Sequence, residues 1–182
     1  MIRCSLLTLL LFSVAAWRAT AQAPLPAAFV QQLDAAQIEY FEPVEQQFRP
    51  LRALQNAFFP CDHALRKKKS RLEIRYRILP NDGSPLSALP QLRCLTTATH
   101  LASNGAHSTL AVHSIPADQV QEQYRADWGG IVFFQPKTAF STRQHCKLLA
   151  LYAEDKGLAL IFFLFDQADE APGDDWTNLR FR

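Results

Sequence analysis

The chain has 182 residues, with 19 lysines and arginines against 17 aspartates and glutamates, and only six glycines. That length fits one domain able to bury a core. The near-balance of charge argues against a surface built for polyanions, and the scattered glycines exclude a glycine-rich phosphate loop.

The first element is an apolar run, SLLTLLLFSVAAW, from Ser5 to Trp17, preceded by Arg3. Thirteen residues match the core of an export signal and fall short of the ~20 that a membrane span needs. A cut after Ala21 fits the small-residue rule better than one after Ala23, which would leave Pro24 first. Cys4 lies ahead of the run and so is no lipid-attachment site. Residues 1–21 are expected to be a signal peptide, and 22–182 a single exported domain, periplasmic or extracellular. Arg3 and Arg18 leave with the signal, so the mature chain carries 17 basic and 17 acidic residues.

Cys61, Cys94 and Cys146 remain in the mature chain. In an oxidising compartment two of them are expected to pair, with the pairing left open. Three buried thiols are the alternative.

From Pro26 to Phe41 the spacing of Phe29, Leu33, Ala36 and Tyr40 predicts a helix stopped by Pro43. A second helical piece is expected after Pro50, with Leu51, Leu54 and Phe58 on one edge. Leu72, Ile74, Tyr76 and Ile78 then alternate with Arg71, Glu73, Arg75 and Arg77, which predicts a strand with one buried and one wet face. On this reading Arg66, Lys67, Lys68, Lys69, Arg71, Arg75 and Arg77 form a basic surface. Tyr76 has the buried parity, so the exposed side lacks the stacking aromatics of a single-strand binder, and no nucleic-acid partner is expected.

Asn104-Gly105 between Leu92–Leu101 and Ser108–Ser114 predicts a two-residue hairpin turn. Its register would put Leu95, Thr97, Thr99, Leu101, Leu110 and Val112 on the core face, with Cys94, Thr96, Ala98, His100, Ala111 and His113 opposite. A short helix is expected from Pro116 to about Ala126, with Gly129 just beyond it, followed by a buried strand, GIVFFQP. Cys146–Ala153 and Leu158–Asp166 flank EDKG and read as a hairpin. The unbroken LALIFFLF predicts a central strand covered on both faces. The turn-rich tail ends in Leu179-Arg180-Phe181-Arg182, which reads as a last apolar strand or coil. The order predicts an α+β fold: N-terminal helices, then a mainly antiparallel, hairpin-rich sheet with one intervening helix.

Few residues carry a chemical signature. His63, His100, His107, His113 and His145 lack the spacing of a zinc site, and in the expected hairpin His100 and His113 lie about 13 Å apart along a strand, at ~3.3 Å per residue. Cys61, His63, His145 and Cys146 are the one set worth testing for a metal. No GxSxG or SxxK run is present, and Cys146 beside His145 is no catalytic pair, because adjacent strand residues face opposite ways. The acids Asp166, Asp169, Glu170, Asp174 and Asp175 depart from a calcium-loop spacing. No cofactor is expected.

The leading expectation is a non-catalytic binding or structural domain of the cell envelope. Its partner would be a small apolar ligand or an envelope protein, with Trp128, Phe133 and Phe162 as candidate ligand-binding residues. The alternatives are an envelope hydrolase without a short motif and a lipid-surface adaptor that touches membrane through the basic strand.

Overall fold

The computed structural model describes residues 24–43, 47–51, 56–105, 109–173 and 176–182. The expected signal peptide, His107, Leu54, Asp174 and Asp175 lie outside them. In chain order the elements are α1 (Ala27–Ala35), β1 (Ile38–Tyr40), β2 (Phe48–Pro50), β3 (His63–Lys67), β4 (Glu73–Pro80) and α2 (Pro90–Leu101). After these come β5 (Ala111–Ser114), α3 (Ala117–Tyr124), β6 (Trp128–Phe134), β7 (His145–Ala153), β8 (Gly157–Phe165) and β9 (Leu179–Phe181). A seven-stranded antiparallel sheet runs β2-β3-β4-β8-β7-β6-β5, and β1 pairs with β9 in a separate ribbon. The fold is α+β with an antiparallel sheet.

β8 sits fourth of the seven strands and every residue in it is buried, as the apolar run predicts. Its turn from β7 places Asp155 (φ 60°) and Gly157 (φ 135°) in the left-handed half of backbone space. Alternation along β8 divides the interior in two. Ala159, Ile161, Phe163 and Phe165 face α1, α3 and the β1–β9 ribbon, while Leu158, Leu160, Phe162 and Leu164 face α2, Phe59 and Phe140. Gly129 lets α3 settle on this sheet: a Cβ there would lie 2.8 Å from Val120 Cγ2 and 3.2 Å from Ile115 Cδ1.

Several expectations are overturned. Leu92–Leu101 is not a hairpin strand but most of α2. Pro90 occupies its first turn, and Cys94, Ala98 and Leu101 repeat at helical spacing on its buried side, while the threonines that suggested a strand point outward or sideways. Asn104-Gly105 lies in the connection that follows, where Ser103 N donates to Gln135 O at 2.7 Å. The N-terminal helix stops at Ala35, and Gln37 (φ 52°) turns the chain into β1. Of the expected second helical piece, residues 48–50 form β2 and 57–59 form bends, while residues 52–55 lie outside the described residues. The helix α3 ends at a left-handed Arg125, not at Gly129.

The wet face expected for β4 is absent. Glu73 and Arg75 are buried like Ile74 and Tyr76, because α2-side elements cover that face as well. All three cysteines are free thiols, so the expected disulfide does not form.

Candidate functional site

The densest run of charge in the sequence sends two of its side chains, Glu73 and Arg75, into the interior. Arg75 Nε donates to Glu73 Oε1 at 2.5 Å, its Nη1 donates to Phe140 O at 2.7 Å, and its guanidinium lies 4.9 Å from the Phe140 ring centre. Glu73 also receives Arg66 Nη2 at 3.2 Å, and Arg77 Nη1 donates to Asp62 Oδ1 at 2.7 Å. A carboxylate between two guanidiniums meets the requirement that a buried charge be paired and hydrogen-bonded. The expected basic surface is therefore corrected. Arg75 is interior, Arg66 and Arg77 are half-buried in ion pairs, and Lys68, Lys69 and Arg71 stay exposed with Lys67 half-buried. Even Arg71 pairs, 3.4 Å from Asp166.

The expected ligand residues separate. Phe162 is 0% exposed and wedged between Phe59 (5.5 Å between ring centres) and Phe140 (5.3 Å), so it is core. Trp128 folds back over its own strand; a Cβ on Gly130 would lie 2.9 Å from its ring. Trp128 and Phe133 are both half-buried, and Phe133 borders two hollows. It lines a hollow of about 550 Å³ with Phe134, Phe165, Ala111, Ala168, Ala171, Thr109, Gln135, Gln144, His145 and Cys146. It also lines a second, of about 260 Å³, with Ile131, Ile115, Pro116, His113, Ser114 and Gln119. Among the described residues no carboxylate, lysine or arginine lines either hollow.

The large hollow has a pinned outer wall. Lys147 is buried on the Phe133 side of the sheet, its Nζ 5.9 Å from that ring's centre, and it donates to Pro172 O at 3.0 Å and Gly173 O at 3.2 Å. Glu170 closes the 166–170 turn by accepting from Asp166 N and Gln167 N, and Arg71 N donates to its other oxygen at 3.0 Å. That last bond is the main reason the Glu170 carboxyl sits below the usual range. Asp166 receives Arg143 Nη1 at 3.0 Å and Gln144 N at 3.2 Å. Neither Lys147 nor this wall was recognised in the sequence. A lysine inside the run HCKLLALYA was the available signal.

Chemistry at the hollow is limited. Burial pushes the Cys146 thiol well above its ordinary range, which removes the thiolate a nucleophile needs. His145 faces away along the strand and lies 5.6 Å from the Phe165 ring. Cys61 is likewise pushed up to about 12 by burial and Cys94 to about 11. The set Cys61, His63, His145 and Cys146 is not brought together. Cys61 and Cys146 belong to the α2 side, while His63 stacks between Phe29 (4.9 Å) and Tyr76 (5.9 Å) on the other. Among the described residues no three histidines, cysteines or acids gather as a metal site.

His63 sits in an aromatic box completed by Tyr40, edge-on at 6.0 Å. Its Nε2 has no hydrogen-bond partner among the described residues, and burial lowers its pKa to about 4. In the same box Asn178 Nδ2 donates to Tyr76 Oη at 2.6 Å.

No helix among the described residues is long and apolar enough to cross a membrane. The chain matches no known protein family, no curated protein and no solved structure.

Proposed function

We propose that residues 1–21 direct export and that the mature domain is a non-catalytic binding module of the cell envelope, which takes an uncharged apolar group at Phe133. One observation carries this reading. Phe133 is the half-exposed floor of a hollow of about 550 Å³ whose lining, among the described residues, has no carboxylate, lysine or arginine and no activated nucleophile. Pockets of a few hundred Å³ with apolar walls and a few polar groups are the usual form of a small-ligand site. Gln135, Gln144 and His145 supply those polar groups at the rim. The lipid-adaptor reading has less support, since four of its seven basic residues are held in ion pairs.

The test is titration with Nile red, an uncharged dye that brightens in apolar surroundings. The wild-type domain is expected to bind it, and Ala171→Trp, which fills the hollow, is expected to abolish the signal while leaving the circular dichroism unchanged. Equal brightening by both proteins would reject the hollow as the binding site. Intact mass of the exported chain is expected to show loss of the first 21 residues; retention of Met1 would reject the export proposal.

A further inference from the structure

The occupant of this site can be specified further from the sheet edge beside it. β5 is the outermost strand, and all four of its residues are exposed, Val112 to 52%. Ile115 N donates to Gly129 O at 3.1 Å. Alternation along an antiparallel pair then makes Ala111↔Phe133 and His113↔Ile131 the hydrogen-bonded pairs. The N–H and C=O groups of Val112 and Ser114 are left pointing away from β6, off the edge of the sheet. Proteins ordinarily blunt such an edge with proline, lysine, a bulge or a cover. The opposite edge is blunted: β2 is three residues long, ends in Pro50 and carries Arg49. Among the described residues β5 has none of these devices.

Side chains sharpen the picture. Ala111 and His113 lie on the face of Phe133 and Ile131, and Phe133 lines both hollows, the larger together with Ala111 and the smaller together with His113. A strand laid against β5 would place two side chains on that face, one opposite Ala111 and one opposite His113. They would be about 6.8 Å apart at ~3.4 Å per residue, one for each hollow. Because no carboxylate, lysine or arginine among the described residues lines either hollow, uncharged side chains suit those two positions.

We infer that β5 and the hollows flanking Phe133 bind an extended segment of a partner protein as an eighth, antiparallel strand, with uncharged apolar side chains at alternate positions. This is strand addition, in which main-chain hydrogen bonds give affinity and alternate pockets give specificity. It rests on the reading of the Phe133 hollow as a binding site.

The probe is a fluorescein-labelled peptide, Ser-Thr-Phe-Thr-Val-Thr-Ser, followed by fluorescence anisotropy. In the inferred register Phe and Val face the hollows, and the flanking threonines bond to Val112 and Ser114. Methylating the threonine amides is therefore expected to weaken binding at least tenfold, and methylating the Phe and Val amides to leave it within twofold. Val112→Pro removes an outward N–H without touching the β5–β6 ladder and is expected to match the first loss while retaining Nile red uptake. Absence of peptide binding by a protein that takes up Nile red would overturn this inference and leave the hollow standing. Equal affinity of the two methylated peptides would overturn the pairing. A concentration-dependent dimer abolished by Val112→Pro, with no peptide bound, would assign the edge to a second copy of this chain and overturn the partner peptide.

Discussion

At one edge of the large sheet, β2 is short, ends in proline and leads into strands whose charges are folded inward. Glu73 and Arg75 are buried there as a hydrogen-bonded pair, with Arg66 completing the acid's partners. At the other edge, β5 is a plain run, AVHS, with no lysine, arginine or acid and with its outward backbone groups unpaired among the described residues. The most basic stretch of the sequence thus sends Arg75 into the interior and ties Arg66, Arg71 and Arg77 into ion pairs, and one of the least marked stretches forms an open edge. Charge density in a sequence reports where partners are needed as readily as where solvent is. An edge with free backbone groups leaves no mark in composition.

Six substitutions break or sharpen this contrast. The largest effect is expected from Phe162→Ala, on the closed side of the comparison, at about 4 kcal/mol for a fully buried phenylalanine. Phe133→Ala removes a half-exposed ring, so its cost in urea unfolding is expected to stay under half of that while Nile red binding is lost. Similar costs for the two would erase the distinction between core and site.

Next is Arg75→Met, which leaves Glu73 buried with only a half-exposed Arg66 beside it. Stranding one member of a buried pair costs about 3 kcal/mol, whereas Lys68→Met, on an exposed neighbour, is expected to stay within about 0.5 kcal/mol. Urea midpoints of both variants check this.

His63 gives a pH dependence. Its folded pKa, about 4, lies below the ordinary value near 6.5, so the unfolded chain takes up its proton first. The stability this box contributes is full above pH 6.5 and is lost as pH falls toward 4, by up to about 3 kcal/mol at 1.36 kcal/mol per unit. The groups facing His63 are Phe29, Tyr40 and Tyr76, and burial raises both tyrosines well above their ordinary range, so they stay neutral throughout this window. His63→Phe is expected to flatten stability between pH 4 and 6.5. An unchanged slope would move the proton uptake elsewhere.

The smallest effect is expected at the open edge itself. Val112→Thr, exposed on both sides, is expected to change stability by no more than about 0.5 kcal/mol. A larger loss would mean that the edge is covered in solution.

What was legible in the sequence followed from period and punctuation. LALIFFLF could only be a strand covered on both faces, and the EDKG turn fixed its pairing with HCKLLALYA. Phe29 and Leu33 gave α1 its buried stripe. Alternation in β4 was read correctly as a strand but wrongly as half wet. Period two reveals two faces and not what covers each, and the cover here comes from Phe140, distant in sequence. Residues 90–101 misled because threonines and a following Asn-Gly resemble a hairpin, while Pro90 and the Cys94–Ala98–Leu101 spacing favoured the helix that tertiary packing selects. β3 escaped because its second half is charged. Of the candidate site, Phe133 was identified from sequence, but Phe162 and Trp128 were indistinguishable from it, since exposure of one aromatic among thirteen phenylalanines and three tryptophans is decided by topology.

The most direct test of an open, strand-accepting edge is amide hydrogen exchange by NMR, with and without the Ser-Thr-Phe-Thr-Val-Thr-Ser peptide. In the free domain Val112 and Ser114 are expected to exchange rapidly and Ala111 and His113 slowly. Saturating peptide is expected to slow Val112 and Ser114 at least tenfold and leave the β2 edge unchanged. Unaltered exchange at Val112 and Ser114, or new protection at β2 instead, would contradict the account.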